Sequence, residues 1–174
     1  ALTSALSHRG PDGAGTWSQG PVALSHFLFS TTAEDIQALQ PLSLGPHTIT
    51  FDGLLANRQE LLDLLRPPDP SCPDAELALR AYAHWGTRCA EHLSGDFAFA
   101  VWDAVAQQLY CARDALGVRV LHYYFDGARF IFASEIKGIL ACPGVSRQLN
   151  EEKIGLFLAL DEGPADQTFY RGVH

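Results

Sequence analysis

Cys72, Cys89, Cys111 and Cys142 are the strongest nucleophiles in this sequence, and His8 and His26 are the first general bases to consider beside them. The cysteines lie far apart, form no CxxC pair and have mostly apolar neighbours, as in Leu109-Tyr110-Cys111-Ala112. Buried free thiols of a reducing cytosol are the expectation, and the spacing of a Cys/His metal site is absent. His8 and His26 fall in a loop and a strand with no nucleophile beside them, so both read as structural. GxSxG, HExxH, GxxxxGK(S/T) and GxGxxG are all missing. Arg113-Asp114 suggests a catalytic pair, but a packing ion pair is the stronger reading, and Glu135 with Lys137 reads as the start of a helix.

The elements that hold these residues belong to an ordinary packed globule. The chain has 174 residues, 47% hydrophobic and 18% charged, which argues against disorder and needs no disulfide or metal staple. Twenty acidic against 12 basic residues give a net charge of −8, the wrong balance for a nucleic-acid partner. No apolar run approaches the ~20 residues of a membrane span, and no signal peptide is visible, so a cytoplasmic location is expected.

Residues 1–20 read as a helix end and a loop punctuated by Gly10-Pro11-Asp12-Gly13. Val22 to Phe29 and Thr48 to Phe51 read as strands, the second ended by Asp52-Gly53. Asn57, with Glu60 three residues later, predicts a capping box for a helix carrying Leu61, Leu62, Leu64 and Leu65. After the proline-rich loop of residues 66–73, Leu77, Ala81, Tyr82 and Trp85 share a second helical face, closed by Gly86. From Gly95 the period changes to two, and both faces of residues 97–102 are apolar, predicting a strand covered on both sides. Residues 103–113 and 120–133 read as hairpins. Ser134 is placed as the cap of one helix and Asn150 of another. Hairpins flanking consecutive helices indicate α+β with antiparallel sheets.

A series of segments stands out by its order: His8-Arg9-Gly10-Pro11-Asp12-Gly13, Gln40-Pro41-Leu42, Phe51-Asp52-Gly53, Asn57 to Leu61, Asp74-Ala75-Glu76, Ala81 to Gly86, Leu93 to Asp103, Ala112-Arg113-Asp114 with Gly117, and Phe132 to Lys137. In this order they resemble the N-terminal domain of glutamine-dependent asparagine synthetases, over nearly the whole chain. The resemblance implies the N-terminal-nucleophile hydrolase fold, a four-layer αββα sandwich of two antiparallel sheets between helices. It also implies a chemistry: an N-terminal Cys attacks the glutamine amide, an Asn side chain and the next Gly N–H hold the oxyanion, an Arg grips the substrate carboxylate and an Asp its amino group.

Carried over by position, the Asp is Asp74 and the oxyanion Gly is Gly53, but the Asn position holds Asp52 and the Arg position Leu28. The nucleophile has no counterpart: Ala1 is not it, its position lies upstream, and the resemblance implies chain lost there, so no catalytic residue is assigned. An Asp carboxylate has no donor for an oxyanion, and losing one such donor costs roughly 3–4 kcal/mol. Leu28 cannot supply the charge-assisted fork of an arginine. The glutamine site of Leu28, Asp52, Gly53 and Asp74 is therefore expected to be degenerate, with these residues converging on one cleft.

The family follows this domain with an ATP-dependent synthetase domain, and residues 168–174 resemble the stretch leading into it. Residues 1–145 are assigned to the amidotransferase-like domain and 146–174 to that connection. The implied partners are the synthetase domain in the same polypeptide and a small-molecule or peptide substrate, and a homodimer is left open. ATP and Mg²⁺ are expected in the synthetase domain, with no cofactor and no metal in this one. Leu24 to Phe29 with Thr31-Thr32 looks more like the lasso-peptide cyclases, relatives that lost the glutaminase residues, than like a true asparagine synthetase. Three readings follow: a degenerate amidotransferase domain of an ATP-dependent amide-forming enzyme, an active glutaminase feeding asparagine synthesis, and a free-standing binding module.

Overall fold

The computed structural model describes residues 2–30, 39–161 and 163–174; Ala1, Thr31 and Thr32, which entered the sequence reading, lie outside them. Contacts divide the chain into two compact units, Ser7–Val120 and Ala1–Leu6 with Leu121–His174.

The first unit is built on a four-stranded antiparallel sheet in the order β3-β4-β5-β6, from β3 (Leu42–Leu44), β4 (His47–Leu55), β5 (Gly95–Asp103) and β6 (Gln108–Arg113). β5 is buried without interruption from Phe97 to Trp102, as the doubly apolar pattern predicts. Phe97, Phe99 and Val101 join Ile49 and Phe51 of β4 in the core, against Leu77, Ala78, Ala81 and Tyr82 of helix α3 (Asp74–Trp85). Phe99, 1% exposed, is the largest fully buried side chain, and truncating such a residue to Ala costs about 3–5 kcal/mol. Leu61 of α2 (Arg58–Leu65) closes the same core, while Leu64 faces out.

Three local readings change. Residues 13–19 form a strand, β1 (Gly13–Gln19), paired antiparallel with β2 (Val22–Leu28). Its glycines and serine hid it, yet Gly15 is required there, because a Cβ would overlap the Gln40 carbonyl oxygen. β4 does not stop at Phe51 but runs through Asp52-Gly53 to Leu55, paired with β5 as far as Gly95. Asn57 stands at the cap position of α2 as expected, but its side chain does not cap the helix: its Oδ1 accepts from Ser94 N and its Nδ2 donates to the His92 carbonyl, both at 3.0 Å. The side chain thus ties the start of α2 to the segment that leads into β5.

The second unit holds the hairpin β7 (His122–Phe125) and β8 (Phe130–Ala133), with α1 (Leu2–Ala5), α4 (Ile136–Leu140) and α5 (Glu151–Leu158). Glu135, not Ser134, occupies the cap position of α4, in an extended conformation without a capping hydrogen bond. Asn150 caps α5 as expected, its Oδ1 accepting from Lys153 N at 3.2 Å. The chain end returns to the hairpin, Tyr123 and His174 exchanging two backbone hydrogen bonds. Among the described residues every strand pairing is antiparallel, which bears out the α+β class. Among the described residues no helix is long and apolar enough to cross a membrane.

Candidate functional site

Asp52 and Gly53 sit side by side on β4, and alternation sends them to different faces. Gly53 has φ +149°, and a Cβ there would collide with the Asp96 carbonyl and the Phe97 backbone of β5. That close approach fixes glycine at position 53 whatever its chemistry. Phe51, one residue before Asp52, is held through its backbone. Its N–H donates to Gln40 Oε1 at 2.7 Å, and its carbonyl accepts from Gln40 Nε2 at 3.1 Å. This is the local role of the Gln40-Pro41-Leu42 segment.

The Asp52 carboxylate lies between two guanidinium groups. Arg9 Nη2 donates to Oδ2 at 3.3 Å, and Arg119 Nη1 donates to Oδ1 at 3.2 Å. All three side chains are about one-third exposed. Arg119 is positioned by Asp114, whose buried carboxylate accepts from the N–H groups of Arg119 and Val118, both at 2.9 Å. The hydrogen bond from the Arg119 N–H, reinforced by that of Val118, holds the Asp114 carboxyl below the usual carboxylate range. The expected Arg113–Asp114 ion pair is therefore not what forms. Asp114 binds its own turn, and the Arg113 guanidinium lies over Gly117.

Asp74 opens α3 and is 8% exposed. Its Oδ2 accepts from Leu55 N at 2.7 Å and its Oδ1 from Arg58 Nη1 at 2.6 Å. Arg58 also reaches the carbonyls of Pro70 and Cys72. Asp74 thus fastens the end of β4, the start of α2 and the loop before α3 to one another. Asp52, Gly53 and Leu55, whose N–H binds Asp74, fall within four consecutive residues of β4. Leu28 ends β2, opposite Gly13, and β2 meets β4 where His26 Nδ1 and Thr50 Oγ1 lie 3.4 Å apart.

Cys72 and Cys89 are buried as expected, but Cys111 and Cys142 are only half-buried. Desolvation pushes the Cys89 thiol up to about 11 and that of Cys111 to about 12, so neither is an activated nucleophile. Sequence reasoning missed Arg9, Arg58 and Arg119. Arg9 lay in a quoted motif, but nothing in the sequence ties Arg119 to a residue 67 positions earlier.

A family model described as a glutamine amidotransferase domain matches residues 1–174. Asparagine synthetase (glutamine-hydrolyzing) 3 of Bacillus subtilis is 36% identical over 172 residues, taking in 94% of this chain and 27% of that protein. Amidase chyE of Penicillium rubens is 29% identical, over 97% of this chain and 25% of its own length. Among solved structures, a glutamine phosphoribosylpyrophosphate amidotransferase from B. subtilis superposes with TM-score 0.63 at 20% identity. It covers 79% of this chain and 39% of that one. That likeness supports the expected N-terminal-nucleophile hydrolase fold. The chain spans about a quarter of the length of these curated relatives. It belongs to the glutamine amidotransferase domain family and is homologous to the asparagine synthetases.

Proposed function

We propose that this chain is the amidotransferase-type part of a larger, ATP-dependent enzyme of asparagine-synthetase type that forms amide bonds, and that its own glutamine site no longer hydrolyses glutamine. The observation that carries the reading is Asp52. At the position matched to the oxyanion-stabilising Asn stands a carboxylate that accepts hydrogen bonds from Arg9 and Arg119 and offers no N–H. Leu28, at the matched arginine position, adds no charge for a substrate carboxylate. Asp74 keeps its family residue type but spends both oxygens on Leu55 and Arg58.

In such an enzyme the amine would come from the substrate itself, a small molecule or a peptide as in the lasso-peptide cyclases. Residues 146–174 would lead into the synthetase part, where ATP and Mg²⁺ would bind; no residue of this chain is assigned to them. Several relatives are glutamine-hydrolyzing asparagine synthetases, which favours a second reading, an active glutaminase supplying ammonia. Ammonia release from glutamine by the full-length protein, with synthetase substrates present, separates the two. Release at background level is expected, and turnover at ~1–10³ per second overturns the degenerate reading.

A further inference from the structure

Where β5 begins and β6 ends lies a cleft of about 350 Å³, within the size range of small-ligand sites. Its apolar lining comes from Ala90, Leu93, Phe97 and Leu116. Two charged side chains, Asp96 and Arg113, line it as well, both exposed. The third, Asp114, is committed to the N–H groups of Val118 and Arg119.

Asp96 and Arg113 are placed by the sheet. Arg113 is the cross-strand partner of Ala98, and Asp96 precedes Ala98 by two residues, so they are diagonal neighbours on one face. Such neighbours stand roughly 7–8 Å apart along the backbone. Among the described residues neither side chain has a hydrogen bond or an ion pair, and the two do not bridge each other. The Arg113 guanidinium rests on Gly117, where φ is +68° and a Cβ would stand 3.2 Å from Nη1. Gly117 thus leaves room for the guanidinium to lie against the turn at the edge of the cleft that Arg113 lines.

An unpaired guanidinium and an unpaired carboxylate, apart but facing one small cleft with an apolar wall, match a ligand carrying a carboxylate, an ammonium and an apolar side chain. We propose that this cleft binds a free α-amino acid with an apolar side chain. Arg113 takes the carboxylate in a charge-assisted fork, Asp96 accepts from the ammonium, and Leu93 and Leu116 cover the side chain. No residue matched to the glutamine site takes part, so the inference stands apart from the reading of Asp52.

The test uses the full-length protein and L-leucine as probe, followed by calorimetry and by amide shifts of residues 94–97 and 113–116. Saturable binding is expected, weakened by about tenfold or more in Arg113→Met and in Asp96→Asn, since a hydrogen bond to a charged group is lost in each. L-leucinamide, without the carboxylate, and 4-methylpentanoate, without the ammonium, should each bind about tenfold more weakly or worse. Both substituted residues are exposed, so folding is retained, and an unchanged melting midpoint verifies it. No saturation by L-leucine up to about 10 mM, a weak affinity by any standard, overturns the proposal. Saturation that neither substitution changes, or that leucinamide matches, also overturns it.

Discussion

Arg119 Nη1 lies 3.2 Å from Asp52 Oδ1, joining the turn after β6 to β4 across 67 positions. Arg9 completes the cluster from the other side of the carboxylate. Both guanidiniums converge on one anion, so Asp52→Asn leaves two like charges facing a neutral amide. Each pair is about one-third exposed, which limits its worth to ~0.2–1 kcal/mol. Asp52→Asn should cost about 1 kcal/mol by urea denaturation and Arg119→Met less. The Asp52→Asn penalty should shrink when salt is raised from 0.1 to about 1 M, where the Debye length falls to roughly 3 Å. A penalty indifferent to salt would mean that packing, not charge, holds this corner.

Arg58 and Asp74 form a more enclosed pair. The Asp74 side chain is 10% exposed and that of Arg58 24%. Removing the carboxylate strands the guanidinium and the Leu55 N–H together, and breaking such a pair costs about 3–5 kcal/mol when fully buried. Allowing for the partial exposure of Arg58, Asp74→Ala should cost about 2–4 kcal/mol. At the usual ~2–4 °C per kcal/mol for a chain of this size, the melting midpoint falls by roughly 4–16 °C. Asp74→Asn, which keeps an acceptor for Leu55 N–H, should cost less than Asp74→Ala.

The contrast between these clusters shows what the sequence could reveal. Periodicity exposed β5, because six consecutive buried residues leave a pattern no surface strand has. It also exposed the apolar face of α3, where Leu77, Ala81 and Tyr82 recur at helical spacing. β1 escaped because Gly13, Gly15 and Ser18 have poor strand propensity, and the reason for Gly15 is the Gln40 carbonyl, a tertiary fact. The cap position of Asn57 was legible because local spacing is all a sequence displays, while the partners of its side chain, His92 and Ser94, lie 35 and 37 residues away. Asp52 was legible as a departure from the family pattern. That it would be gripped by Arg9 and Arg119 was not, since long-range ion pairs leave no periodic trace.

The cysteines make a prediction about alkaline pH. Burial raises the Cys89 thiol from 9.0 to about 11 and that of Cys111 from 9.0 to about 12. The folded state therefore holds these protons after the unfolded chain has released them. The stability associated with them is complete below about pH 9 and is lost as pH rises from 9 towards 11–12. At pH 8, alkylation of both residues should be slower by roughly a hundredfold or more than in urea, because the thiolate is the reactive form. Rapid modification of Cys111 in the native protein would contradict its environment.

Asp126 offers the acid counterpart. It accepts from Ala128 N, Arg129 N and the Arg129 guanidinium, and the Arg129 N–H bond leads in lowering its carboxyl from 3.8 to about 2. Its contribution to the β7–β8 turn is present above pH 3.8 and lost as pH falls through about 2. A carboxyl carbon titration by NMR should place its midpoint near 2, and Arg129→Met should move it upward.

Leu28 and Asp52 test whether the family geometry survives without the family chemistry. If both line one former glutamine site, Leu28→Arg restores a fork for the substrate carboxylate and Asp52→Asn restores an amide. The single changes should each improve glutamine binding weakly. Asp52→Asn releases Arg9 and Arg119 from their anion, and Leu28→Arg alone adds a third guanidinium near a carboxylate that already has two. Together they act on one bound molecule, so their effects should exceed the sum by at least ~0.5 kcal/mol, as for residues that share a partner. Glutamine titrations of the wild-type protein, both single variants and the double variant measure that coupling directly. A double variant that binds glutamine no better than the sum of its parts would show that Leu28 and Asp52 do not face a common ligand. The assignment of this site would then have to move away from the end of β2.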